Sequence, residues 1–152
     1  MRTLQIVILT VAFYSAAAQI FGINLKPKID CMKEQTYKFV NTTEAALLPL
    51  MKTVVGHHPA LEKDYQEAVQ IIKSTLEKVQ SVLHENPIVF PISVATYSAQ
   101  MTKDLLGLLA RIAQQLKSSG STQLADQITQ IGKQISASVN KLQPAIAQCL
   151  RA

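Results

Sequence analysis

Few residues of this chain have the type and spacing that chemistry needs. It carries 2 cysteines, 3 histidines and 10 acidic residues among 152. His57 and His58 are adjacent in a Gly-His-His-Pro turn, and His84 stands at the end of the next helical segment. A whole helix separates the pair from the third histidine, so the three cannot share a metal ion. No histidine stands near a cysteine in a zinc-ligand spacing. Asp64, Asp104 and Asp126 have no partner pattern, and Glu44, Glu62, Glu67 and Glu77 read as solvated helix positions. A G-x-S-x-G elbow, an H-E-x-x-H pair, a Gly-rich phosphate loop and an EF-hand ligand series are all missing. The expectation is a protein that is not an enzyme and uses neither cofactor nor metal.

The two cysteines predict a covalent bond instead. Cys31 and Cys149 lie 118 residues apart. With no third thiol they have one intrachain pairing, which is the default in an oxidising compartment. Closing a loop of that length is worth about 4–5 kcal/mol of unfolded-chain entropy. The first residues predict such a compartment. Arg2 supplies a basic start, Leu4 opens a run to Phe13 that is apolar apart from Gln5 and Thr10, and Ala16-Ala17-Ala18 has the small-x-small pattern of a cleavage site. Residues 1–18 therefore read as a signal peptide, Gln19 as the new N-terminus, and the product as secreted and extracellular. No later apolar run has the length of a membrane span, so no stable membrane insertion is expected. No lipid-anchor or retention signal closes the sequence either. Asn41-Thr42-Thr43 is the one Asn-x-Ser/Thr sequon, and export makes Asn41 the candidate glycan attachment.

The formal net charge is +5, of which Arg2 leaves with the signal. The remaining lysines and arginines are scattered and form no basic block. That distribution gives no support to a nucleic-acid partner.

The elements that position these residues read as helices. Residues 19–28 look like a leader, in which Gly22 and Asn24 break any helix and Pro27 closes the stretch. Residues 29–152 read as one helical domain. A first helical region over 29–55 carries Ile29, Met32, Thr36, Phe39 and Val40, then Leu47, Met51 and Val54, at helical spacing. Pro49 interrupts it and predicts one kinked helix or two shorter ones. After the turn at Gly56, a second helix over 59–84 has an apolar stripe at Leu61, Tyr65, Val69, Ile72, Leu76, Val79 and Leu83. Glu85-Asn86-Pro87 stops it, and Ile88-Val89-Phe90 is expected to lie across one end of the domain. A third helix opens at Pro91 or Ser93 and reaches about residue 117, with Val94, Met101, Leu105, Leu108, Ile112 and Leu116 as its stripe. Leu106, Leu109 and Ala113 widen that stripe. Gly107 is read as a point of close packing or ligand approach. Ser118-Ser119-Gly120-Ser121 is a loop whose Ser121 can cap a fourth helix. That helix carries Leu124, Ile128, Ile131, Ile135, Val139, Leu142, Ile146 and Cys149, with Pro144 bending or restarting its last turns.

Four amphipathic helices on short loops predict an all-α, antiparallel up-down four-helix bundle. In that arrangement the start of the first helix and the end of the fourth lie together. Those are the places where Cys31 and Cys149 sit, so the cysteines and the periodicity agree.

The functional expectation is a non-enzymatic binding protein, a carrier of a small apolar ligand such as a lipid. Its candidate lining is Leu105, Leu108, Leu109 and Ile112 on the third helix, Ile72 and Leu76 on the second, and Ile128, Ile131 and Ile135 on the fourth. Tyr65 and Tyr97 would add polar contacts. Ordinary core packing explains the same periodicity, and a carrier needs space that a packed core lacks. The alternative is an extracellular protein-interaction factor of the immune, salivary, venom or reproductive-fluid type, acting without a small ligand. A contiguous exposed apolar patch at Phe90 or Phe21 would favour it.

Overall fold

The computed structural model describes residues 26–85 and 89–151. Four α-helices pack against one another: α1 (Lys26–His57), α2 (Glu62–Glu85), α3 (Phe90–Ser118) and α4 (Thr122–Arg151). A 3-10 turn, Pro59–Leu61, leads into α2. The expected signal peptide and most of the leader lie outside the described residues.

Each helix packs on its neighbour in sequence, and α1 also packs on α4, which closes the ring. The closure is covalent. Cys31 on α1 and Cys149 on α4 form the disulfide, with their Cα atoms 5.7 Å apart. Beside it, Lys28 Nζ donates to the Leu150 carbonyl at 3.0 Å, which gives one of the unpaired carbonyls ending α4 a donor. Near the other ends of the two helices, the His58 ring nitrogen Nε2 and the Ser121 hydroxyl are 2.8 Å apart. That contact joins the turn after α1 to the turn before α4.

The apolar stripes face one core. Met32, Val40, Leu47, Met51 and Val54 of α1 meet Val94, Met101, Leu105, Ile112 and Leu116 of α3 and Ile128, Ile135 and Ile146 of α4 there. All are almost fully buried. Four threonines share this interior. Thr36, Thr43, Thr75 and Thr102 each donate to the carbonyl one turn earlier, so burial leaves none of their hydroxyls unpaired. Ser98 Oγ is the exception, buried without a partner among the described residues.

Several local expectations need correction. Of the two alternatives at Pro49 the single helix holds: α1 runs unbroken over 32 residues, and it starts at Lys26 rather than at residue 29. Pro27 fits its first turn because the missing N–H there would have had no helical acceptor. Pro49 is tolerated inside because it is exposed, and so is Ala45, whose carbonyl loses its donor and can turn to water. The same holds in α4, where Pro144 and Asn140 are both exposed and the helix is not restarted. Phe90 is not part of a connector: it opens α3 and is completely buried, while Val89 before it is 38% exposed. Gly107 is exposed, and a Cβ built on it would meet nothing within 4 Å, so it marks no close approach.

The α3–α4 loop shows why its sequence turns the chain. Gly120 has φ +83°, a left-handed conformation that side chains resist. The Ser121 N–H then reaches back to the Leu116 carbonyl at 2.8 Å, and the Gly120 N–H to Lys117 at 3.1 Å. This is a Schellman ending, and it satisfies carbonyls that the last turn would leave unpaired.

Candidate functional site

The expected lining residues occupy two kinds of place. Ile72, Leu105, Leu108, Ile112 and Ile135 are buried in the common core, and Tyr65, Leu76 and Ile131 are half-buried against it. They pack on one another. Leu109, Ile128 and Tyr97 are also part of this packing, but each reaches a groove on the surface.

An apolar groove follows the seam between α3 and α4 and has a volume of about 320 Å³. Its floor is Leu109, Ile128 and Gly132, and Leu106 and Ala110 form the α3 wall. Thr129, Lys133 and Ser136 stand along the α4 edge. Two features of the sequence make the space. Leu106 and Leu109 lie at the edge of the apolar face of α3, where Leu109 joins the core and Leu106 stays half-buried. Opposite them, α4 offers a glycine: a Cβ on Gly132 would come within 3.4 Å of Leu106 Cδ2 and 3.9 Å of Leu109 Cδ1. The missing side chain leaves the groove open. Lys133 supplies its one charge.

A second groove, about 230 Å³, runs between α2 and α3 and has a different chemistry. Ile71 and Met101 line it together with Glu67, Lys78, Tyr97 and Asp104. Its charged groups are mostly engaged. Arg111 Nη2 lies 2.9 Å from Glu67 Oε2 and 3.4 Å from Asp64 Oδ1, tying α3 to α2. Lys78 Nζ stands 5.8 Å from the centre of the Tyr97 ring, and Asp104 accepts a hydrogen bond from Gln100 at 2.9 Å. These exposed contacts contribute little stability, about 0–1 kcal/mol each.

A third groove, about 270 Å³, lies between α1 and α4. Phe39 and Leu142, both buried, form its floor, and Lys38 and Lys141 stand over it. Asn41 is exposed on α1 nearby, where a glycan would meet solvent.

His57 is exposed, and His58 is held against Ser121. His84 lies in the last turn of α2, 24 residues long, at the far end from His57 and His58. Among the described residues no cluster of three or more His, Cys, Asp or Glu could hold a metal ion, and no helix is long and apolar enough to cross a membrane. Val89 is the exposed large hydrophobic residue among those described.

Gly132, Leu106, Ala110 and Lys133 were not among the expected site residues. The available signal was the widened stripe of α3, which implied a neighbour at Leu106 and Leu109. Which residues of α4 meet them depends on the rotation of α4, and its periodicity does not fix that to one residue.

Fold and grooves together define a disulfide-closed helical bundle with open grooves along its seams. No protein-family profile, curated protein or solved structure matches the chain.

Proposed function

We propose that this chain is a secreted, non-enzymatic binding protein whose α3–α4 groove receives a small apolar ligand such as a lipid. The groove carries the reading. At about 320 Å³ it falls at the lower end of the range of small-molecule sites, and the surface it presents is mostly apolar.

The remaining parts of the reading fit together. Residues 1–18 are a cleaved signal, and the mature chain folds in an oxidising compartment that forms the Cys31–Cys149 bond. The bundle runs up-down-up-down. In support, Lys28 pairs with Leu150 and His58 with Ser121, so contacts early in α1 are late in α4 and the reverse. An exposed Asn41 suits glycosylation, and the absence of a basic block argues against nucleic acid.

The test is titration of the disulfide-intact protein with a neutral apolar fluorophore, N-phenyl-1-naphthylamine. The expected result is saturable uptake of one dye per chain, displaced by a long-chain alcohol and lost in Gly132→Leu. Uptake that does not saturate, or that Gly132→Leu leaves unchanged, overturns the assignment.

A further inference from the structure

The α1–α4 groove differs from the other two in its charge. Lys38 approaches it from α1 and Lys141 from α4, and no carboxylate lines it. Both lysines are exposed, and neither is in an ion pair among the described residues. The α2–α3 groove balances Lys78 with Glu67 and Asp104, and the α3–α4 groove has Lys133 alone. Of these three grooves it alone, at about 270 Å³, is lined by two cations and no anion.

Beneath the lysines the groove is apolar. Phe39 is 6% exposed and Leu142 4%, so each presents a small part of its side chain to the groove. Gln35, Thr42 and Ser138 add neutral hydrogen-bonding groups around the edge. An apolar floor under paired ammonium groups matches a molecule with an apolar body and an acidic head. The floor takes the body out of water, and the two lysines attract the head.

We propose that the α1–α4 groove is a second binding site, for a small organic anion: an aromatic or aliphatic body carrying a carboxylate, sulfonate or similar acidic group. It is separate from the neutral site proposed between α3 and α4 and does not depend on it. The shared helix α4 presents one side to each groove, so a single chain holds two ligands of different charge.

The probe is 8-anilinonaphthalene-1-sulfonate, an aromatic body with one fixed negative charge. The disulfide-intact protein should bind it saturably. Lys38→Gln and Lys141→Gln should each weaken binding about three-fold, and the double variant about ten-fold. Raising the salt concentration should weaken the wild-type complex and leave the residual binding of the double variant nearly unchanged. Gly132→Leu should have no effect on this probe, and the double lysine variant none on the neutral dye. Circular dichroism of each variant, showing native helix content, keeps the comparison to folded protein. Unchanged binding in the folded double variant overturns the proposal. So does loss on Lys133→Gln, which would move the anion to the α3–α4 seam.

Discussion

Replacing Gly132 with alanine should make the protein more stable and a poorer binder. Gly132 sits inside a helix, where glycine costs about 0.8–1 kcal/mol relative to alanine. Its backbone is not in the left-handed region, so alanine adds no backbone strain. The new Cβ would meet Leu106 Cδ2 at 3.4 Å, the far end of a half-buried side chain that can turn aside. The expected gain is about 1 kcal/mol, or a Tm increase of about 4 °C. The same methyl group takes space from the ligand. Excluding one methylene from apolar contact costs about 0.8 kcal/mol, a loss of roughly four-fold in affinity for the neutral dye. Gly107→Ala is the control. Gly107 is exposed with nothing within 4 Å of a new Cβ, so it should give the same stability gain and leave binding alone. Thermal melts and dye titrations of both variants check the argument. It is refuted if Gly132→Ala binds as the wild type does, or if both variants lose affinity equally.

Other substitutions test how the fold is held. Replacing both Cys31 and Cys149 with serine should cost about 4 kcal/mol in urea unfolding, with the helical circular dichroism of the folded state retained. Pro49→Ala restores an N–H for the exposed Ala45 carbonyl; the gain, offset in part by a freer unfolded chain, should be about 2 kcal/mol in the same assay. Gly120→Ala should do the opposite of Gly107→Ala: its φ of +83° makes a side chain cost about 1 kcal/mol, seen as a lower Tm.

Much of the fold was legible because helical periodicity and burial have a common cause. The positions of Ile72, Leu105, Ile112, Ile128 and Ile135 in the sequence place them on one face of each helix, and that face is the core. The cysteines were legible too, since two thiols with no third have one intrachain pairing. The behaviour of Pro49 was harder to read. A proline interrupts a helix where the carbonyl it strands is buried, and here both Pro49 and Ala45 face solvent. Burial on that outer face comes from the packing of α1, not from the local sequence.

The candidate site was less legible for a related reason. Periodicity names the residues that face inward, and inward-facing residues fill the core. A groove forms at the seam, from residues at the edge of the stripe. Leu106 and Gly132 are edge residues, and they meet only because α4 has one particular rotation against α3. Gly107 drew attention as a helix glycine but points away from every neighbour, whereas Gly132, equally visible in the sequence, is the one that makes space.

The central claim is that the α3–α4 groove carries an apolar molecule in the natural protein. Native mass spectrometry of the chain recovered from its natural source tests it most directly. The expected species is a mature chain starting at Gln19, lighter by two hydrogens for the disulfide, with one small apolar molecule bound. A bare chain from the same source would contradict it.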